Sequence, residues 1–288
     1  MLKEYLGRTL LEPRRTPYRE IFVSRISGSA PDMALHFQAG MLAMWDQDGV
    51  TDILFEEPHG DAVQIYLAAH YPQAVYEGET GVPYSDWETG EPVHTVRAAH
   101  FLIQYTWENP QEPAASETRL VLDPGLAFGT GRHPSTRQSL ALLRAAFDRD
   151  APRHVLDLGC GTGVLSMAAA ALGARRVTAV DYSLVAAHST RMNAAVNSFK
   201  DRVRVIHGDA FDNLHHAADL VVCNLNHTLN RRLLASIHAK GTRRILLSGI
   251  HGRDRLHEIQ AAARDAGYET AETAQADPWF SLLCRVRG

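Results

Sequence analysis

Cysteine is scarce in this chain of 288 residues: Cys160, Cys223 and Cys284 are all it has. An odd number at wide spacing argues against a disulfide framework and against a cysteine-built zinc site, and it fits a reducing cytoplasm. Lysine is as scarce, with only Lys3, Lys200 and Lys240, so arginine carries nearly all the positive charge. The formal net charge is −4, and neither nucleic acid nor a membrane surface is expected as a partner. Long apolar runs are missing as well. The longest small-apolar stretch, 164–174, contains Ser and Gly and falls short of the ~20 residues of a membrane span. The opening MLKEYLGRTLLEPRRTPYRE holds no apolar core of signal-peptide length, so no export is expected. Fifteen histidines invite a metal, but no HExxH pattern occurs, and His215 and His216, being adjacent, cannot share a helix face. No metal site is expected.

Glycine, by contrast, is concentrated. The stretch 122–136 reads LDPGLAFGTGRHPST, and a second glycine-rich run, VLDLGCGTGVL, follows at 155–165. Hydrophobic residues make up 45% of the chain, enough for a sizeable globular core. The periodicity divides it in two. Residues 1–95 read as a small α+β domain, with strands at 19–26, 50–55 and 74–77 and helices at 32–46 and 61–70; Leu35, Phe37, Met41, Leu42 and Trp45 supply the apolar positions of the first helix. Residues 96–120 read as a linker. They contain a strand at 100–106 and the Pro-, Glu- and Ala-rich ENPQEPAAS at 108–116.

From 121 to 288 strands and helices alternate. Strands are expected at 154–158, 176–180, 203–207, 219–223 and 243–248, with two more near 268–274 and 280–286. Helices fall between them, one stopped by Gly173 and one capped by Ser183. Repeated βα units of this kind demand a doubly wound, mostly parallel α/β sheet.

In such sheets ligands lie at the carboxyl ends of the strands. Gly159, Gly161 and Gly163 follow the first strand of this domain, where missing side chains let a ligand approach the backbone. A dinucleotide fingerprint, G-x-G-x-x-G, would require glycine at position 164, which is Val164. S-adenosylmethionine, a sulfonium cation with a free amino group, suits a nearby carboxylate instead, and Asp157 is a candidate. Asp181 ends the second strand, where an acid can accept from both ribose hydroxyls of either ligand. Asp209, after the third strand, can accept from an adenine amino group or simply cap its loop. Asn224 ends the fourth, where its amide oxygen can accept from an amine.

Taken in order, these motifs resemble the bacterial PrmA family, the methyltransferases of ribosomal protein L11. The similarity lies in LDPGLAFGTGRHPST at 122–136, LDLGCGTGVLSMAAAALGA at 156–174, AVD at 179–181 and VVCN at 221–224, and it covers roughly residues 97–288. It implies a seven-stranded, Rossmann-like class I methyltransferase domain using S-adenosylmethionine. Both glycine-rich loops then serve one ligand. Phe128, Gly129, Thr130 and Thr136 are implied to cover it, Gly159 and Gly161 to support it, and Asp181 and Asn224 to contact it, with Asn224 also positioning the acceptor; Asp209 stays a candidate on the residue reading alone. The implied acceptor is a protein amine, a lysine of a large-subunit ribosomal protein, with residues 1–95 recognising the substrate. Two departures stand out. The family continues its Asn with Ile-Leu-Ala, whereas this chain continues with Leu225-Asn226-His227, and the N-terminal part matches only in size, place and the segment SDWETGEPV at 85–93. Two other readings remain open: a methyltransferase of the same fold acting on another protein or a small molecule, and a cofactor-binding scaffold without turnover.

Overall fold

The computed structural model describes residues 20–28, 37, 41–47, 49–83, 94–125, 127–237 and 241–287. The chain separates into two compact units, Met1–Val93 and His94–Gly288. The expected segment 85–93 lies outside the described residues.

Among the described residues of the first unit, β1 (Glu20–Ser27), β2 (Met41–Gln47), β3 (Val50–Phe55) and β4 (Val75–Pro83) form an antiparallel sheet of order β2-β3-β1-β4, with helix α1 (Gly60–His70). Ile26, Phe37, Ile53, Phe55, Val63 and Leu67 form its core, and Phe37 meets Phe55 edge-on at 5.7 Å. The helix expected at 32–46 is not formed over 41–46. That stretch is β2, which makes a hairpin with β3 in which Gln47 pairs with Val50. Residues 32–36 and 38–40 lie outside the described residues.

The second unit opens with a small sheet rather than the expected linker. β5 (Val96–Ala98), β6 (Phe101–Tyr105) and β7 (Thr118–Leu122) pair in that order, antiparallel and then parallel. All five residues of β6 are buried, and the Tyr105 hydroxyl donates to the Thr130 carbonyl at 2.7 Å. The Pro- and Glu-rich composition governs only the loop between β6 and β7. The outer edge of β7 is held by two amides. Asn197 accepts from the Val121 N–H at 2.9 Å and donates to the Val121 carbonyl at 2.6 Å. Asn193 does the same for Asp123 at 2.7 and 2.9 Å.

The main sheet contains β8 (His154–Leu158), β9 (Arg176–Asp181), β10 (Val203–His207), β11 (Ala218–Asn224), β12 (Thr242–His251), β13 (Tyr268–Ala276) and β14 (Trp279–Val286). Its order is β10-β9-β8-β11-β12-β14-β13, parallel except for β14, which runs antiparallel to both neighbours. This is the doubly wound, seven-stranded α/β sheet expected from the βα alternation. Helices α2 (Pro134–Arg149), α3 (Val164–Ala171), α4 (Leu184–Val196), α5 (His227–Ser236) and α6 (Arg253–Asp265) cover it. Leu156, Leu158, Val221, Ile245 and Leu282 pack with Leu233, Leu234 and Ile259 of α5 and α6. Because side chains alternate along a strand, Val155 and Asp157 point to the opposite face.

Candidate functional site

The strand order reverses beside β8, so a crevice opens at the carboxyl ends of β8 and β11. The two glycine-rich loops meet there. The Phe128 carbonyl accepts from the Thr162 N–H at 2.9 Å, and the Thr162 hydroxyl donates to the Gly129 carbonyl at 2.7 Å. The glycines make this contact possible. Gly161 has φ +56°, and a Cβ there would collide with the Phe128 carbonyl. A Cβ on Gly163 would lie 2.7 Å from Thr190 Cγ2, and one on Gly159 would collide with Leu225. The room expected for a ligand at these three positions is therefore filled first by the chain itself.

Asp181 is 7% exposed. Its two carboxylate oxygens accept from the backbone N–H groups of Gly161 and Ser183, both at 2.9 Å. Burial pushes its carboxyl up from the ordinary range, against the pull of these hydrogen bonds. Each oxygen keeps a second lone pair, so the group is fixed in place and can still accept from a ribose. Asp157 is placed differently from its expected role beside a ligand's amino group. It is 1% exposed, lies beneath the turn, and accepts from the Ser166 hydroxyl at 2.6 Å. Burial, with a smaller contribution from the Asp181 charge, raises its pKa to about 6.

Thr136 is fully buried in the first turn of α2. Its hydroxyl oxygen stands 3.4 Å from Asn224 Nδ2, joining the first loop to the end of β11 across 88 residues of sequence. Thr130 is buried, and Phe128 is half-buried. Asp209 is exposed on the far side of β9, where Oδ1 accepts from the Phe211 N–H at 2.7 Å and so caps the short turn that follows. The two unusual residues after Asn224 have structural partners. Asn226 caps α5, accepting from the Leu229 N–H at 2.9 Å, and His227 Nε2 lies 3.1 Å from Glu258 of α6.

Three rings near this site were not anticipated. His133 meets Phe128 at 5.3 Å and Trp279 at 4.7 Å, and Trp279 meets His251 at 4.9 Å. His133 Nδ1 accepts from the Ser135 N–H at 3.2 Å, capping α2. Burial lowers its pKa. The same Nδ1 lies 2.8 Å from the Ser135 hydroxyl. His133 lies inside a quoted motif, but nothing local marks Trp279 or His251. They meet because β14 pairs with β12, with His251 opposite Trp279. Beneath them runs a buried polar chain. Gln138 donates to the Trp279 carbonyl at 2.9 Å, Ser281 donates to Gln138 at 2.6 Å, Ser248 and Ser281 lie 2.6 Å apart, and Ser248 donates to the Ser135 carbonyl at 3.0 Å.

A protein-family model described as ribosomal protein L11 methyltransferase (PrmA) matches residues 58–287. Among curated proteins, the ribosomal protein L11 methyltransferase of an Exiguobacterium species is 36% identical over 181 residues, 62% of this chain and 57% of the relative. That of Desulfitobacterium hafniense is 36% identical over 211 residues, 71% and 65% of the two chains. The chain thus spans roughly 60% of the length of the curated relatives it matches. Among solved structures, a ribosomal protein L11 methylase from Lactobacillus delbrueckii subsp. bulgaricus superposes with a TM-score of 0.59 at 26% identity, covering 68% of this chain and all of that one. With four-fifths of its length inside the family model, and with the two loops that carry the resemblance locked into one site, the chain belongs to the ribosomal protein L11 methyltransferase (PrmA) family.

Proposed function

We propose that the chain is an S-adenosylmethionine-dependent methyltransferase that methylates a protein amine, a lysine of a large-subunit ribosomal protein. The observation that carries this reading is the meeting of Thr136 and Asn224 above a glycine turn whose amide is already held by Asp181. The cofactor, when bound, supplies an electrophilic methyl on a positively charged sulfur. The residues present fit it: Asp181 keeps free lone pairs for the ribose, and the Phe128–Thr130 loop lies against the turn that would bear the ligand. Fixed in this way, the two loops exclude water and need no reorganisation on binding.

Asn224 orients the incoming amine through its amide oxygen while its Nδ2 faces Thr136. The amine must be neutral to attack, so the crevice has to desolvate it and lower its pKa. The acceptor loses its proton to solvent on entering the site. The first unit, residues 1–93, recognises the protein, and the chain works in the cytoplasm. No direct nucleic-acid contact is required for the transfer itself.

Calorimetry with S-adenosylmethionine and with NAD, followed by mass spectrometry of ribosomal protein L11 after incubation with enzyme and cofactor, tests this reading. The expected result is saturable binding of the first ligand only, and L11 mass increments of whole methyl groups on lysine. Methylation of other proteins with L11 untouched would move the chain to a different acceptor. Cofactor binding with no transfer to any protein in a lysate would leave only a scaffold.

A further inference from the structure

The candidate site occupies the carboxyl end of the main sheet. The amino end is lined with arginine. Arg153 directly precedes β8, Arg175 and Arg176 lead into β9, Arg202 directly precedes β10, and Arg243 lies at the start of β12. Backbone hydrogen bonds hold three of these segments side by side. The N–H groups of Arg175 and Arg176 donate to the Arg153 carbonyl at 2.8 and 3.1 Å, and the Val177 N–H donates to the Arg202 carbonyl at 2.8 Å. With strands ~4.8 Å apart, four arginines stand at the starts of three neighbouring strands.

These cations are available. Arg153, Arg175, Arg176 and Arg243 are exposed, and no carboxylate among the described residues forms an ion pair with them. Asp219, the acid between β8 and β12, accepts with Oδ2 from the N–H groups of Arg153 and His154 at 2.8 and 2.9 Å, and its negative charge offsets the positive charge of nearby Arg243. Arg202 is anchored. It donates to the Ala170 carbonyl at 2.9 Å and lies 4.7 Å over the Phe199 ring. Asp201, directly before it, subtracts one charge. Of the exposed large apolar side chains, Val196 ends α4 six residues before Arg202, while Tyr182 and Leu184 follow β9 at the other end of the sheet.

We propose that this edge docks the phosphodiester backbone of RNA without reading its sequence. Guanidinium groups match phosphate oxygens two at a time. A protein partner would be expected to meet an exposed aromatic anchor, and of the exposed large apolar side chains described, only Val196 lies at this edge. The choice of RNA rests on the proposed ribosomal acceptor, a protein that lives beside RNA. The net charge of −4 conceals this patch because it sums over the whole chain.

The test uses the full chain and a fluorescent single-stranded RNA of about 20 nucleotides, followed by anisotropy. Between about 50 and 200 mM salt, the logarithm of the affinity should fall against the logarithm of salt with a slope of roughly −2 to −3, as three or four phosphates are neutralised. Combining Arg153→Gln, Arg175→Gln and Arg176→Gln should weaken binding at least tenfold and flatten the slope by about 2. The matching Arg→Lys triple should keep the slope. An unchanged melting temperature shows that both variants fold. Absence of salt-dependent binding, or equal binding by the Gln triple, overturns the proposal. So does displacement of the RNA by polyglutamate at equal charge, which would point to an acidic protein. Transfer to L11 is read separately by mass spectrometry. Transfer without RNA binding overturns the docking edge alone, and RNA binding without transfer overturns the proposed function alone.

Discussion

The two ends of the main sheet solve opposite problems. At the carboxyl end the chain buries polar groups and ties each to a partner: Asp181 to two backbone amides, Asp157 to the Ser166 hydroxyl, and Thr136 to the Asn224 side chain. At the amino end it leaves arginines in water with few partners. A buried polar group without its partner costs about 1–3 kcal/mol, whereas an exposed charge costs little. The carboxyl end should therefore be intolerant of single changes and the amino end permissive, although both sit on the same seven strands.

The largest expected effect comes from Gly161→Val. Its Cβ would strike the Phe128 carbonyl, and its φ of +56° disfavours a branched residue. The two loops should separate and S-adenosylmethionine binding by calorimetry should vanish; retained affinity would show that the loop contact is dispensable. Asn224→Ala should come next, lowering methyl transfer roughly ten- to a thousandfold at saturating cofactor, the scale for losing an orienting contact. Its pH profile should still follow the acceptor amine, because no titrating group is lost. An unchanged rate would remove Asn224 from the site.

Asp157→Asn should stabilise the fold. The Asp157 carboxyl, raised from 3.8 to about 6, favours folding fully only below the ordinary aspartate range, and that contribution is lost as pH rises through about 6. The loss amounts to about 3 kcal/mol at most. An asparagine can still accept from Ser166, so melting at pH near 7.5 should gain about 1–3 kcal/mol, and the gain should shrink as pH falls toward 4. A loss of stability at neutral pH would mean that the ionised form is wanted there. Asn226→Ala removes a helix cap and should cost about 1 kcal/mol by denaturant melting. It should leave substrate preference unchanged, and a changed preference would return Asn226 to the acceptor site. The smallest effect belongs to the other end: Arg176→Gln should shift stability by under about 0.5 kcal/mol and leave methyl transfer intact. A large loss there would erase the contrast between the two edges.

What could be read in advance follows the range of the forces involved. β8 to β14 and the helices between them were legible because their signals are local: apolar strand runs, Ser183 at a helix start, Gly173 at a helix end. The helix expected over 32–46 failed over 41–46 because its apolar spacing suits a helix as well as a strand. The contrary signal was present, for Asp48-Gly49 joins Gln47 to Val50, and Asp-Gly is a favoured two-residue hairpin turn. The strand at 118–122 was hidden by the composition of the loop before it, and that at 96–98 is only three residues long. Within the site, sequence named the loops but not what their glycines make room for. The Trp279–His251 contact depends on strand pairing, which no local pattern carries. The structural partners of Asn226 and His227 likewise appear only once α5 is packed beside α6.

The amides of Asn193 and Asn197 reach further than the strand they hold. β7 ends its three-stranded sheet, and such a border strand offers a row of unpaired N–H and C=O groups to any other extended chain. Two side chains one helical turn apart meet those groups at Val121 and Asp123, like rungs of a missing neighbour. They close the border without adding a strand, and so guard the molecule against sheet-to-sheet self-association. Replacing both with leucine would unmask that border, and the protein should then precipitate on mild warming well before its main sheet melts.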